Sequence, residues 1–562
     1  MHDARYGRGT LTRPSDGYPL GGRGCPSRPY RSSRRREAAR RQIPVLESKQ
    51  RPSEGCPGGG EDCPRRAPRA PQFSSTRSAA AGGIPVVGRG SPSGPIGRPR
   101  PAYALVEIRS PPRDGLDVVC RVLPSKRDLL DVVALATAKV ALGAVVLHLG
   151  FSHVSDDDYA RTVIAERFAH TPHLDPSATS WLPLPFWITG AAMMALGRSL
   201  EVARAVAIVL GALSVAVPYA AMRVAGVPRA ASLAATAVAM ALPWNAWLGV
   251  ATVPEAWTGA LAGAAMVAMV EPRARAWACG ALLAASLSRY ETWPACAVLA
   301  ALCATAAMRG HRARNLVLGL LAIAGPLLWM LWNAHAHGSP LHFLARVSAF
   351  RRAIGAAEQP LPSKLLAYPL ALLTETPEAA ALGAVGAVGL CASPTLRRRW
   401  LGAAACVLAT MMFLVAGDVR DGAPTHHPER ALSPLWWVLV GMGADTIAAA
   451  AAHLKDARSR AGLGLLTARA GTGLLAACAL AWCVSLPSRW SRAPGETEVE
   501  RRDIPIARGR DMRKRSAASA EITPCSFEHF ALIAAWGRPE DARLLPSLHR
   551  PPTAECPLVD ER

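Results

Sequence analysis

From about Asp131 to Leu486 the chain is a succession of Ala-, Leu- and Val-rich blocks, separated by short loops that carry Arg, Pro, Asp or His. The blocks are apolar on every face and lack the single stripe of a surface helix. About 20 such residues cross a bilayer as a helix, and a long series of them predicts an all-α polytopic membrane protein. A soluble helical repeat would need one polar face per helix. Composition alone separates these two readings poorly: 50% hydrophobic residues and a mean hydropathy of +0.16 lie within the range of soluble enzymes.

Charge divides the chain further. The formal net charge is +23 over 562 residues, which in a soluble protein would point to nucleic acid. Here much of the excess lies before Asp131 and in short loops, where it sets membrane topology instead. No nucleic-acid partner is expected. Residues 1–124 are rich in Arg, Pro, Gly and Ser, as in Arg31-Ser-Ser-Arg-Arg-Arg36. So little apolar material does not offset ordering entropy, and a disordered basic segment is expected, read either as a flexible cytoplasmic tail or as translated sequence upstream of the true start. Residues 125–486 form the transmembrane domain and 487–562 a small extracytoplasmic tail. In that tail, 522–536 predicts a helical cap, and Cys525 and Cys556 are expected to pair in an oxidising compartment. The 13 cysteines make no framework. Cys279, Cys296, Cys303, Cys391, Cys406, Cys478 and Cys483 lie in apolar blocks as small hydrophobes, and the spacing of Cys56 and Cys63 is not that of a zinc knuckle.

The loops fix an expected topology. Lys126 and Arg127 precede the first span, 131–150, and hold its start inside. Lys139 near its middle requires a protein or wet partner. The segment Trp181-Leu-Pro-Leu-Pro-Phe-Trp187, running on to Gly197, is short and headed by two Pro and two Trp, and reads as a helix in the outer interface. Spans then follow near 202–222, 231–247, 256–270, 277–287, 293–308, 316–332, 379–391, 400–416, 432–452 and 462–486. That gives about eleven spans, and the loops placed inside, with Arg223/Arg229, Arg273/Arg275, Arg309/Arg312/Arg314, Arg397/Arg398/Arg399 and Lys455/Arg458/Arg460, are all basic. The region 335–378 becomes a long outer segment.

Directly after the first span comes Phe151-Ser-His-Val-Ser-Asp-Asp-Asp-Tyr-Ala-Arg161. Adjacent carboxylates repel one another, which favours a proton acceptor near neutral pH. They also suit a divalent cation, the one cofactor the sequence suggests. If the stretch is helical, Asp157 and Arg161 lie one turn apart on one face. A solvated helix N-terminus would use the same acids. Other outer loops add cations: Arg289 beside Glu291 in Ser288-Arg-Tyr-Glu-Thr-Trp-Pro294, and His426, His427 and Arg430 between two late spans. Arg289–Glu291 also reads as a structural ion pair. Arg matches anionic phosphate oxygens bidentately, so convergence of these loops predicts a phosphate site.

Asp156, Asp157, Tyr159 and Arg161 just after the first span, then Trp181-Leu-Pro-Leu-Pro-Phe-Trp187, then Arg204 on the next span, resemble the membrane-embedded GT-C glycosyltransferases of the protein-mannosyltransferase and aminoarabinose-transferase type. The resemblance is sharp through about Arg229. It implies a polyprenyl-phosphate sugar donor, a lipid, glycan or protein acceptor, and inverting transfer. It implies Asp156 as general base with Asp157 its partner, and Arg161 near the donor phosphate, although the Asp-Glu-x-Arg-Tyr motif of one branch spaces its arginine differently. Arg289, His426, His427 and Arg430 join the phosphate site by inference from position, and Tyr159, Glu291 and Trp181 are acceptor-side or structural. The bias to Ala, Arg and Gly suggests a bacterial inner membrane with the site facing the periplasm. A transporter or flippase of lipid-linked substrates, or a non-catalytic scaffold, is the alternative. Neither acidic pairs in the inner loops nor an inverted repeat is evident.

Overall fold

The computed structural model describes residues 125–178, 180–310, 312–353, 359–422, 427–461, 479–492, 496–524, 527–545 and 559–561. The tail 1–124, His426 and both members of the expected Cys525–Cys556 pair lie outside the described residues. The chain divides into two units, Met1–Glu107 and Ile108–Arg562, and all the described residues belong to the second.

The first helix, α1 (Lys126–His148), starts earlier than its apolar block because Ser125 and Asp128 form a capping box. The Ser125 hydroxyl accepts from the Asp128 amide at 3.1 Å, and the Asp128 carboxylate accepts from the Ser125 amide at 3.2 Å, satisfying two amides that have no partner within the helix. There follow α2 (Asp157–His170), α3 (Leu184–Leu196), α4 (Leu200–Val224), α5 (Arg229–Ala241), α6 (Pro243–Leu248), α7 (Glu255–Ala268) and α8 (Arg275–Ser286). A 3₁₀ turn, Tyr290–Thr292, leads into α9 (Trp293–Arg309) and α10 (Arg312–His337). The expected outer segment 335–378 holds α11 (His342–Ala353) and α12 (Leu361–Glu375). Then come α13 (Pro377–Ala392), α14 (Pro394–Val419), the turn α15 (Pro428–Ala431) and α16 (Ser433–Ala461). Residues 479–490 form a further helix, α17.

The all-α membrane architecture is as the sequence predicts, but the count of spans is not reproduced. Among the described residues, six helices are long and apolar enough to cross a membrane: α1, α4, Tyr290–Arg309, α10, α14 and Ser433–Leu454 of α16. The expected span 231–247 is two helices, because Leu242 is extended and Pro243 opens α6. The expected spans 256–270 and 277–287 are α7 and α8, of 14 and 12 residues. At about 1.5 Å per residue they reach roughly 21 and 18 Å, less than the hydrocarbon thickness. All of α7 but Leu261 is buried in protein. The 462–478 part of the last expected span lies outside the described residues. The helix expected in the outer interface is α3, 13 residues long.

The long helices carry their apolar side chains outward as well as inward. Leu331 of α10 and Leu408 of α14 are 66% and 62% exposed, with Leu320, Leu328, Leu401 and Met412 alongside them on the same two helices. Such area suits lipid rather than water. Inside, small residues let backbones approach. On α13, a Cβ at Gly383, Gly386 or Gly389 would fall within 3 Å of Leu439, Met442 or Thr446 of α16, the close packing by small residues typical of membrane helices. Lys139 is buried, and its Nζ donates to the Asn245 carbonyl at 2.7 Å and to Asn245 Oδ1 at 3.2 Å. The cation thus ties α1 to α6 through oxygens that offset its desolvation.

The expected helical cap of the C-terminal tail is larger than the sequence suggests, with α18 (Glu496–Lys514) and α19 (Glu528–Trp536). A three-stranded sheet accompanies them. Its central strand β1 (Ala520–Ile522) pairs parallel with β2 (Ala542–Leu544) and antiparallel with β3 (Val559–Glu561).

Candidate functional site

The acidic stretch folds so that its three carboxylates part company. The chain leaves α1 and enters α2 with Asp156 as the cap residue. Asp158 is fully buried and turns back on the backbone. Its Oδ2 accepts from the Val154 and Ser155 amides at 3.2 and 3.4 Å, and its Oδ1 from the Thr252 amide at 2.9 Å. It staples this loop to the chain ahead of α7. Asp156 turns away, with both oxygens held by Arg502. Asp157 alone remains open: its side chain is 42% exposed, and Oδ2 lies 3.3 Å from Arg430 Nη1.

Behind Asp157 is a buried charge network. Glu255 opens α7 and is fully buried. Its Oε1 accepts from Arg430 Nε at 2.8 Å and Nη2 at 2.5 Å, and lies 3.0 Å from Arg289 Nη1. Arg289 Nε donates to Glu291 at 2.6 Å, and Arg430 Nη1 also donates to Ser155 Oγ at 3.0 Å. Burial works to raise the Glu255 carboxyl, but the charges of Arg289, Arg430 and Arg161 outweigh it and hold it at about 2. Burial likewise opposes the charge on Arg430 and Arg289, and their carboxylate neighbours, Glu255 first, push both guanidinium groups up instead.

Arg161 differs from these two. It sits one turn after Asp157 on α2, buried, with its Cζ 4.5 Å from the centre of the Trp181 ring and 5.8 Å from that of Phe186. Its Nε and Nη1 have no hydrogen-bond partner. Burial brings its guanidinium down to about 10, against the pull of Glu255 and Asp157, so it is still charged at neutral pH. Arg161 lines a small, partly open cavity with Thr162, Phe186 and Thr252. Pro185, Thr189 and Thr252 belong also to a second small groove, which runs between α3, α4 and α7 past Val206, Leu210 and Trp257.

The other predicted residues divide. Trp181 is the stacking partner of Arg161. Arg289, Glu291 and Arg430 join the network, but as partners of Glu255 and of one another. His427 packs near Trp244, with ring centres 6.2 Å apart. Tyr159 faces the other way, buried among Ile506, Leu532 and Trp536 of the C-terminal unit. Arg204 donates to the carbonyls of Ser152 and Val250 and braces the loop. The three carboxylates do not converge, and among the described residues no group of three His, Cys, Asp or Glu side chains is arranged to hold a metal ion. Glu255 is the residue that sequence reading missed. Its signal was available: a lone acid at the head of an apolar block needs a buried cation.

No protein-family model matches the chain, and no curated protein matches it. Among solved structures, the chain is similar to the crystal structure of ArnT from Cupriavidus metallidurans bound to undecaprenyl phosphate, at 14% identity and a TM-score of 0.45, over 74% of this chain and 89% of that one.

Proposed function

We propose that the protein is a GT-C-type membrane glycosyltransferase that moves a sugar from a polyprenyl-phosphate donor to an acceptor hydroxyl, with inversion, on the extracytoplasmic face of a bacterial inner membrane. The observation that carries this reading is the pairing of Arg161 with the two cavities. A buried guanidinium with two unpartnered nitrogens lines a cavity that shares Pro185, Thr189 and Thr252 with a groove past Val206, Leu210 and Trp257, which suits an anionic head followed by an apolar tail. The half-open Asp157 carboxylate lies one helical turn away.

The chemistry follows from charge. The acceptor oxygen attacks the anomeric carbon opposite the phosphate, the sugar–phosphate bond breaks, and its electron pair leaves with the lipid phosphate. The proton of the acceptor passes to a carboxylate. By sequence position that role falls to Asp156. The geometry favours Asp157, because both oxygens of Asp156 are engaged by Arg502 while Asp157 is open. Arg161 stabilises the departing phosphate, a group that stays anionic throughout. Arg430 is already neutralised by Glu255, and its remaining contacts with Ser155 and Asp157 orient the base. Arg289 has one nitrogen, Nη2, still without a partner, and is the second donor to phosphate.

The test is transfer from a radiolabelled polyprenyl-phosphate sugar by purified wild type, Asp156→Asn and Asp157→Asn. Asp157→Asn is expected to lose about 10²–10⁴-fold in rate, the usual contribution of a general base. Wild-type turnover by Asp157→Asn would move the base role back to Asp156. Movement of the donor across the bilayer with its sugar–phosphate bond intact would replace the transferase reading with a transporter.

A further inference from the structure

The contact of the C-terminal unit with the acidic loop has a feature that stability alone does not require. An Asp at the start of a helix ordinarily accepts a bond from one of the first free amides. Asp156 makes no such bond. Its carboxylate is instead taken as a fork by Arg502 of α18, Nε to Oδ1 at 2.8 Å and Nη2 to Oδ2 at 2.9 Å. Arg502 is 4% exposed, and its Nη1 lies 2.9 Å from Glu528 Oε1 at the head of α19. The guanidinium is therefore fixed on both sides, and a bidentate arginine–carboxylate pair restricts direction as well as distance.

The surrounding contacts give this fork a rigid base. Tyr159 and Val163 of α2 and Leu200 of α4 share one apolar cluster with Ile506, Met512, Leu532 and Trp536. At its rim Arg198 pairs with Glu540 at 2.6 Å and Arg510 with Glu201 at 3.0 Å. Successive helical residues point about 100° apart, so Asp156 and Asp157 are clamped from different sides. One is held by the C-terminal unit, the other touches Arg430 of the helical bundle.

We propose that Arg502 is a positioning residue: by holding Asp156 it sets the first turn of α2 and thereby the place of the Asp157 carboxylate, so that the C-terminal unit completes the transfer site. This rests on the transferase reading for its catalytic consequence, but its structural half stands separately. A displacement of about 1 Å in a reacting group costs on the order of 100-fold in rate. Arg502→Met is expected to lower kcat about 10–100-fold, with KM for the lipid donor changed less than about twofold. Arg502→Lys, which keeps the charge without the fork, is expected to recover part of that loss.

The deciding experiment uses the full chain in lipid nanodiscs and reads hydrogen exchange of residues 153–160 beside transfer kinetics. Arg502→Met should speed exchange in 153–160 about tenfold or more, Arg502→Lys by less, and the rim control Glu201→Gln not at all. Wild-type exchange at 153–160 in folded Arg502→Met overturns the proposal, and so does a rate loss confined to KM. If Arg502→Met does not fold, Arg502→Lys carries the same two readouts, and unchanged exchange with unchanged kcat there overturns it. Should wild type transfer no sugar at all, the transferase reading falls, and the exchange result still decides whether Arg502 holds the loop.

Discussion

The two ends of α1 carry polar clusters of similar composition and opposite character. At its start, Asp128 and Asp131 meet Tyr219, Arg223 and Arg229. Asp131 takes both forks of Arg229 at 2.6 Å, Asp128 takes Arg223 at 3.0 Å, and the Tyr219 hydroxyl donates to Asp131 at 2.6 Å and lies 3.1 Å from Asp128. Nearly every charged group there faces an opposite charge or a hydroxyl. Arg399 lies at the same end, against Gly226, and pairs with Asp445. Roughly 34 Å away at 1.5 Å per residue, the other end gathers Asp157, Glu255 and Glu291 with Arg161, Arg289 and Arg430. The charges again balance, but the hydrogen bonds do not. Arg161 Nε and Nη1, Arg289 Nη2, and one oxygen each of Glu255 and Glu291 are buried without partners. Evenly matched pairs serve to hold helices together. Unmatched groups at the other end, with Arg161 lining a cavity, are what the proposed transfer site needs.

The largest effect is expected at Glu255. Replacing it with Gln leaves Arg289 and Arg430 buried without their shared anion, and removing one partner from a buried pair typically costs about 3–5 kcal/mol. Thermal unfolding in one detergent should show that loss, and a change no larger than that of a surface pair would mean that this end is as matched as the other. The pH dependence has a definite sign. With its carboxyl held at about 2 against an ordinary 4.5, Glu255 contributes fully above about pH 4.5 and loses that contribution as pH falls toward 2.

Arg161→Met should separate function from stability. Its guanidinium makes ring contacts but leaves two nitrogens unused, so the folded protein should keep its stability or gain slightly. Transfer should fall about 10–100-fold, the worth of one or two charged hydrogen bonds of about 1.5–3 kcal/mol. A large fall in unfolding temperature with normal kinetics would make Arg161 a structural residue.

A smaller effect is expected from Glu166, deeper on α2. It is fully buried with neither oxygen bonded. Burial raises its carboxyl well above 4.5, although Arg198 and Arg513 pull the other way and Glu540 and Glu201 add to the rise. Above pH 4.5 the unfolded chain ionises first, so this group costs stability increasingly as pH rises. Glu166→Gln should therefore stabilise the protein at pH 8, by about 1–3 kcal/mol, and the gain should shrink steadily toward pH 4.5. A gain that does not vary with pH would show that the carboxyl keeps an ordinary affinity for its proton. The smallest effect belongs to the matched end. Asp131→Asn should shift the unfolding temperature less than Glu255→Gln does and leave the transfer rate of the folded fraction unchanged; a specific loss of rate would join the two ends functionally.

Much of this was legible in the residues. The apolar blocks named an all-α membrane protein, because no other fold tolerates so many helices without a polar face. The loop 151–161 was marked by charge that has no reason to stand beside a span unless it is used or capped. The contact of Arg161 with Trp181 was not legible, because it depends on how the loop after α2 folds back. The number of spans was not legible either: an apolar segment looks the same whether lipid or protein surrounds it, and α7 is a short helix buried in protein while α8 is short and only half-buried. Nor did the order Asp156, Asp157, Asp158 reveal three separate fates. One carboxylate went to backbone amides, one to Arg502, and one stayed open.

Local sequence thus determined what could be decided by neighbours along the chain: the helices, the cap at Ser125, and the acidic turn at a helix start. Tertiary structure decided what depends on partners far away in sequence. Glu255 meets Arg430 across 175 positions and Asp156 meets Arg502 across 346. A charge declares in the sequence that it must be compensated, because burying it alone is too costly. Which group compensates it is settled only when helices pack, and that choice left Asp157 open while its two neighbours were tied.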